Sequence, residues 1–236
     1  MSKAKILLVE DERSLAEVLT INLEREGFEV MVARDGQQGL RMAQLKLPDL
    51  VVLDLMLPVL SGLDVCKELR AGARTRSIPI VMVTAKAEET DQLVGFALGA
   101  DDYVTKPYSV KVLVQRIKNQ IRRGPGREDP ASAGSLFESQ GVVVDRVRHR
   151  ATYLDQELAL TPTEFRLLEV LLRQAGRAFT RHELMDAAIG EDAVVLERTI
   201  DVHVKSLRKK LGEATDLIET VRGVGYRFRE SRSGES

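Results

Sequence analysis

Through the first half of the chain, short apolar runs alternate with stretches whose apolar positions recur every three or four residues. KILLVE precedes a helical pattern from about Glu12 to Glu26, FEVMVA one near Gly36–Lys46, and DLVVLDL one near Gly62–Ala71. IPIVMVTA precedes a helix near Glu89–Leu98, and DYVTK a last one from about Ser109 to Arg123. Runs such as LVVLDL and IPIVMV are apolar almost throughout, which suits strands covered on both faces rather than half-exposed ones. Five such β-α units predict a parallel sheet with helices on each side.

Beyond residue 136 the pattern changes to short alternating segments, GVVVD, RHRATYL and QELAL, followed by three helices. Thr161-Pro162-Thr163-Glu164 sets a hydroxyl cap, a first-turn proline and a capping-box glutamate before a helix that runs to about Gln174. Thr180 with Glu183 repeats the spacing, a third helix runs from about Leu196 to Leu211, and Gly212 stops it. The following ETVRGVGYRF reads as a hairpin whose turn uses Gly223 and Gly225. Between the halves lies GPGREDPASAGS, with almost nothing to bury. The expected organisation is therefore an α/β flavodoxin-like (βα)5 domain over residues 1–123, a linker over 124–135, and an α+β winged helix-turn-helix domain over 136–232.

Composition changes this picture little. Hydrophobic residues make up 44% and charged residues 30% of 236, and no apolar run approaches the roughly 20 residues that span a bilayer, so a cytosolic protein without membrane contact is expected. The apolar stretch at the N-terminus is too short for a secretory segment and acids follow it at once. The single cysteine, Cys66, excludes an internal disulfide and reads as a small buried apolar residue. Net charge is −1, and residues 136–236 carry 16 basic against 17 acidic side chains, so a nucleic-acid surface has to be a local patch.

In open α/β sheets ligands bind at the carboxyl ends of the strands. There the first strand delivers Glu10 and Asp11, the third Asp54, the fourth Thr84 and the fifth Lys106-Pro107. Converging carboxylates repel unless a cation sits among them, and an all-oxygen set favours a hard ion such as Mg²⁺. Lys106 supplies a point charge and Thr84 a hydroxyl, the groups that hold phosphoryl oxygens, which makes Asp54 the candidate nucleophile. Singly, each residue is as well explained as a cap, a strand residue or a solvated charge; five of them at four successive strand ends favour the chemical reading. A nucleotide-binding enzyme is disfavoured, because VEDERS offers carboxylates where a phosphate cradle needs glycines.

In the second domain, ERTIDVHVKSLRKKLG carries Arg198, Lys205, Arg208, Lys209 and Lys210 against Glu197 and Asp201, for net +3. Ile200, Val204, Leu207 and Leu211 form its buried stripe, which leaves Thr199, Val202, His203, Ser206 and Lys210 to face a groove. Arg222 and Arg227 on the hairpin are placed to reach phosphates or an adjacent minor groove. A domain that contacts only proteins is the alternative, which the basic helix and hairpin arginines disfavour.

LLVEDE, DLVVLDLMLPVLSGLDV, VMVTA and GADDYVTKPYS resemble the response-regulator receivers. LTPTEFRLLEVLL, RTIDVHVKSLRKKL and TVRGVGYRF resemble the winged-helix output domain of the OmpR/PhoB-type subfamily. The resemblance implies phosphorylation of Asp54 by a sensor histidine kinase, with Mg²⁺ on Glu10, Asp11, Asp54 and the Met56 carbonyl. It further implies a switch in which Thr84 moves to the phosphoryl oxygens and Tyr103 turns inward, and a cis Lys106-Pro107 bond. Phosphorylation is then expected to produce a homodimer, with Asp102 pairing Arg116 and Asp101 pairing Arg123 across a two-fold axis. A third pair common in the subfamily is replaced here by Gln92 and Val112. Expected partners are promoter DNA with direct repeats and RNA polymerase, and the PhoB-like branch points to genes of phosphate limitation. Where the subfamily often has paired arginines, this chain has Lys205-Ser206, so its operator is expected to differ.

Overall fold

The computed structural model describes residues 3–84, 94–122, 136–190 and 197–231. The chain divides into two compact units, Met1–Gly124 and Pro125–Ser236. The expected linker lies outside the described residues, as do Arg123, Gln92 and the first part of the helix expected near 89–98, of which residues 94–97 are helical.

In the first unit, β1 (Lys5–Val9), α1 (Arg13–Arg25), β2 (Glu29–Ala33), α2 (Gly36–Lys46), β3 (Leu50–Asp54), α3 (Gly62–Ala71), β4 (Ile80–Thr84), β5 (Asp102–Thr105) and α4 (Val110–Arg122) follow one another. The sheet is parallel throughout, in the order β2-β1-β3-β4-β5. Every residue of β3 and β4 is buried, as their continuous apolar runs predict. Ile6, Leu8, Leu50 and Val52 point to one face, where Ala16, Leu19, Leu23, Leu113, Ile117 and Ile121 of α1 and α4 cover them. Val9 points to the other, close enough to α2 that a Cβ on Gly39 would lie 2.7 Å from its Cγ1.

This order reverses direction between β1 and β3, so their carboxyl ends open onto one crevice. Val9 is level with Leu53 in the register, which sets Glu10 beside Asp54. Gly62 starts α3 directly against the end of β3, with its N–H donating to the Leu55 carbonyl at 3.0 Å. A Cβ there would stand 2.1 Å from the Asp54 carbonyl oxygen, so only glycine lets helix and strand approach so closely.

The second unit begins with an antiparallel sheet of β6 (Leu136–Ser139), β7 (Val142–Asp145), β8 (Arg150–Tyr153) and β9 (Gln156–Glu157). Helices α5 (Pro162–Arg173), α6 (Arg181–Ala188) and α7 (Arg198–Leu211) follow, with a 3₁₀ turn (Gly212–Leu217) after the last. Both capping boxes read from the sequence are formed, Thr161 with Glu164 and Thr180 with Glu183. A three-stranded sheet in the order β10-β12-β11 closes the unit, from β10 (Phe179–Thr180), β11 (Ile218–Val221) and β12 (Gly225–Phe228). The short β10 and β6 are not evident as strands in the sequence pattern. β10 also changes the reason for one hairpin glycine. Gly223 has the positive φ of +74° that the turn needs. Gly225 is required by close approach instead, since a Cβ there would lie 2.2 Å from the Phe179 carbonyl oxygen.

Candidate functional site: an acid cluster and a basic helix

At the carboxyl edge of the parallel sheet, ligand atoms of Glu10, Asp11 and Asp54 lie within 4.8 Å of one another. Glu10 and Asp54 are buried and Asp11 is exposed. Lys106 Nζ reaches into the same space, 2.6 Å from Asp54 Oδ2 and 2.9 Å from Glu10 Oε2. The other Asp54 oxygen accepts the Met56 N–H at 2.9 Å. Three carboxylates against one ammonium leave an excess of negative charge on hard oxygen donors, and the exposure of Asp11 leaves room for water. A small hydrated divalent cation fits that set.

The electrostatics carry the same strain. Burial pushes the Glu10 carboxyl above its ordinary range, and the neighbouring Asp54 charge adds to the effect of burial against the Lys106 hydrogen bond. Burial works against the Lys106 ammonium, yet Asp54 and Glu10 outweigh it and raise its pKa, so the lysine is firmly charged. Thr84 is fully buried at the end of β4, and its carbonyl accepts the Lys106 N–H at 2.7 Å. The Lys106-Pro107 bond is cis. Tyr108 was not singled out by the sequence; its hydroxyl is buried with no hydrogen-bond partner among the described residues, and burial pushes its pKa up to about 12.

Tyr103 corrects one expectation. Its side chain already lies inward, 3% exposed, with its ring centroid 6.1 Å from that of Phe96. An inward turn is therefore not a step this conformation still has to make.

Within the single chain, Asp101, Asp102 and Arg116, expected to pair across subunits, already have partners. Asp102 and Arg116 pair with each other within one chain, at 2.7 and 2.9 Å, and both are almost fully buried. Asp101 is fully buried and accepts from Arg70 Nη2 at 2.7 Å and from the Ile80 N–H at 2.9 Å. Arg70 also donates to the carbonyls of Gly99, Arg76 and Ile78, so it joins α3 to both neighbouring loops. Spacing alone does not reveal this role, because an arginine late in an amphipathic helix reads as a solvated charge.

Beside Asp54, the loop entering α3 carries a strained residue. Val59 sits at φ +70° and is 82% exposed, inside a γ-turn closed by the Leu60 N–H on the Pro58 carbonyl at 2.8 Å. A β-branched residue there costs about 1–3 kcal/mol, whereas glycine loses roughly 0.5–1 kcal/mol in backbone entropy. Val59→Gly is expected to stabilise the chain by about 1 kcal/mol. The measurement is the urea midpoint at constant slope, and an unchanged or lower midpoint would contradict it.

In the second unit α7 is oriented from two sides. Asp201 accepts from Arg181 Nε at 2.8 Å and the Tyr226 hydroxyl at 2.7 Å. Glu164 accepts from Ser206 Oγ and Lys210 Nζ, each at 2.6 Å. Burial opposes the Glu164 charge, but Lys210, Ser206 and the Thr161 N–H outweigh it and hold the carboxyl below its ordinary value.

The ten side chains expected to meet DNA therefore divide. Arg198, Lys205 and Arg222 are exposed and Val202 is half-buried. Thr199 and His203 are each only 1% exposed, which corrects the expectation that they are open to a groove. Ser206 and Lys210 are engaged by Glu164. Arg208 donates to the Ile218 carbonyl and to Thr220 Oγ1, and Arg227 to Glu219, so both are tied to the hairpin. Lys209, which the sequence reading left out of the contact set, is exposed.

The family comparisons match this architecture unit by unit. Residues 6–118 match the family described as "Response regulator receiver domain", and residues 155–228 that described as "Transcriptional regulatory protein, C terminal". The phosphate regulon transcriptional regulatory protein PhoB of Rhizobium meliloti (strain 1021) is 45% identical over 224 residues, 94% of this chain and 97% of that protein. The chain is an OmpR/PhoB-type response regulator. The sensory transduction protein RegX3 of Mycolicibacterium smegmatis is 46% identical over 226 residues, 94% of the regulator described here and 98% of that protein. Among solved structures, a mutant of RitR superposes with a TM-score of 0.76 at 28% identity, covering 97% of this regulator and 100% of that chain. These relatives place the regulator among transcriptional regulators that carry a DNA-binding effector domain, not among enzymes. No helix among the described residues is long and apolar enough to cross a membrane.

Proposed function

We propose that a sensor histidine kinase in the cytoplasm phosphorylates Asp54, and that the modified regulator pairs and binds direct repeats in promoter DNA to adjust transcription by RNA polymerase. The observation that carries this reading is the convergence of Asp54 with Glu10 and Asp11, with Lys106 at 2.6 Å. Glu10, Asp11, Asp54 and the Met56 carbonyl would hold Mg²⁺, which when bound offsets charge on the acids and on the transferring group. An Asp54 carboxylate oxygen attacks phosphorus, the P–N bond to the kinase histidine breaks, and the leaving imidazole takes a proton. Lys106 then follows the new phosphoryl oxygens, Thr84 donates to one of them, and Tyr103 is held inward.

In the single chain Asp101 and Asp102 have in-chain partners in Arg70 and Arg116, so bridging a homodimer through these charges requires them to exchange those partners across the two-fold axis. Val94 and Val112 are about half exposed and offer apolar contact beside them. The names of the PhoB relatives support genes of phosphate limitation as the targets.

The test is anisotropy titration of a labelled promoter fragment, before and after treatment with a small phosphodonor and Mg²⁺. Affinity is expected to rise about tenfold on phosphorylation and to fall steeply with salt. A regulator that acts only through proteins would show no salt-dependent DNA binding in either state.

A further inference from the structure

Resting on the DNA-binding reading above, we propose that α7 meets the groove through Val202, Lys205 and Lys209, and that Glu164 is a positioning residue that withholds Ser206 and Lys210 from the nucleic acid. Ile200, Val204, Leu207 and Leu211 are buried at steps of three and four and fix the inner face of the helix. Val202, Lys205 and Lys209 follow the same steps on the opposite side. Lys205 and Lys209 are exposed, and neither forms an ion pair among the described residues.

Ser206 and Lys210 lie one turn apart on the flank of that stripe and converge on one carboxylate. Ser206 Oγ donates to Glu164 Oε1, while Lys210 Nζ and the Thr161 N–H both donate to Oε2. Glu164 is 2% exposed and closes the capping box of α5, so it cannot follow a departing ammonium. Pulling Lys210 onto a phosphate would leave a buried carboxylate short of its cation. An ammonium already neutralised in this way displaces no DNA counterion. Ser206 has given its one proton to the same carboxylate and keeps only acceptor capacity towards a base. Reading therefore falls to Val202, whose methyl groups suit the thymine C5-methyl, between lysines that bind phosphate.

Salt dependence separates the two neighbouring lysines. In the full-length protein, binding to a promoter fragment is measured against log salt concentration for Lys209→Met and Lys210→Met. Lys209→Met is expected to reduce the slope by about 0.9, one phosphate contact, and Lys210→Met to leave it unchanged. The same Lys210→Met change is then made in a Glu164→Gln background, where the ammonium is no longer neutralised and is expected to count towards the slope. A reduced slope for Lys210→Met alone, with none for Lys209→Met, would overturn the assignment. Equal effects of Lys210→Met in both backgrounds would remove the positioning role of Glu164. The lysine comparison needs no Glu164 variant, so it decides the stripe even where Glu164→Gln fails to fold. Absence of salt-dependent binding by the wild type would instead overturn the DNA-binding reading on which this rests.

Discussion

Asp54→Asn is expected to reduce phosphoryl labelling by a small phosphodonor to background, while wild-type protein accumulates an acyl phosphate at that residue. The amide lacks the anionic oxygen that attacks phosphorus, so the loss is complete rather than partial. Its carbonyl still accepts the Met56 N–H that Asp54 Oδ1 accepts now, and the strand end keeps its geometry. Relief of repulsion from Glu10 and Asp11 compensates for the lost contact with Lys106, so stability is not expected to fall. Unfolding measured beside labelling thereby separates lost chemistry from lost structure. Chelating Mg²⁺ is expected to stop labelling of the wild type too, because three carboxylates and an incoming phosphoryl group share one ammonium. Equal labelling of Asp54→Asn and wild type, or peptide mapping of the phosphoryl group to another residue, would sink the assignment.

Receiver elements were legible because their signals are local. Continuous apolar runs marked the buried strands, and parallel topology then dictates which residues share the carboxyl edge; Glu10, Asp54 and Lys106 follow from strand ends alone. The capping boxes at Thr161 and Thr180 were legible for the same reason, since each is written within four residues. Two-residue β10 carries too few positions for any periodicity, and it forms only because β12 offers an edge beside it.

Outside the acid cluster, the site was not legible where a polar side chain is engaged by a distant partner. Periodicity places Ser206 and Lys210 off the buried stripe of α7, and a helical wheel treats everything off that stripe as available. Their partner, Glu164, lies 42 and 46 residues away in sequence and already looked fully employed in its capping box. Arg70 and Asp101 are separated by 31 residues and gave no sign of each other. Charge in a sequence thus marks where an interaction is possible, whereas burial decides whether it is satisfied within the chain.

Arg116→Ala is expected to destabilise the non-phosphorylated regulator by about 3–5 kcal/mol, a large part of the roughly 5–15 kcal/mol that holds a domain together. The guanidinium is 5% exposed and donates twice to the Asp102 carboxylate, so its removal leaves a charge buried on β5 without its cation. Burial pushes the Asp102 carboxyl above the ordinary carboxylate range even with Arg116 beside it. The intact pair therefore offsets its desolvation poorly, and replacing both partners, Asp102→Leu with Arg116→Met, is expected to recover most of the loss. If these charges instead bridged two subunits, Arg116→Ala would leave the unmodified monomer within about 0.5 kcal/mol of wild type and weaken only association. Urea unfolding at several protein concentrations distinguishes the two: an in-chain pair gives a large loss independent of concentration, and a bridging pair gives none in dilute monomer.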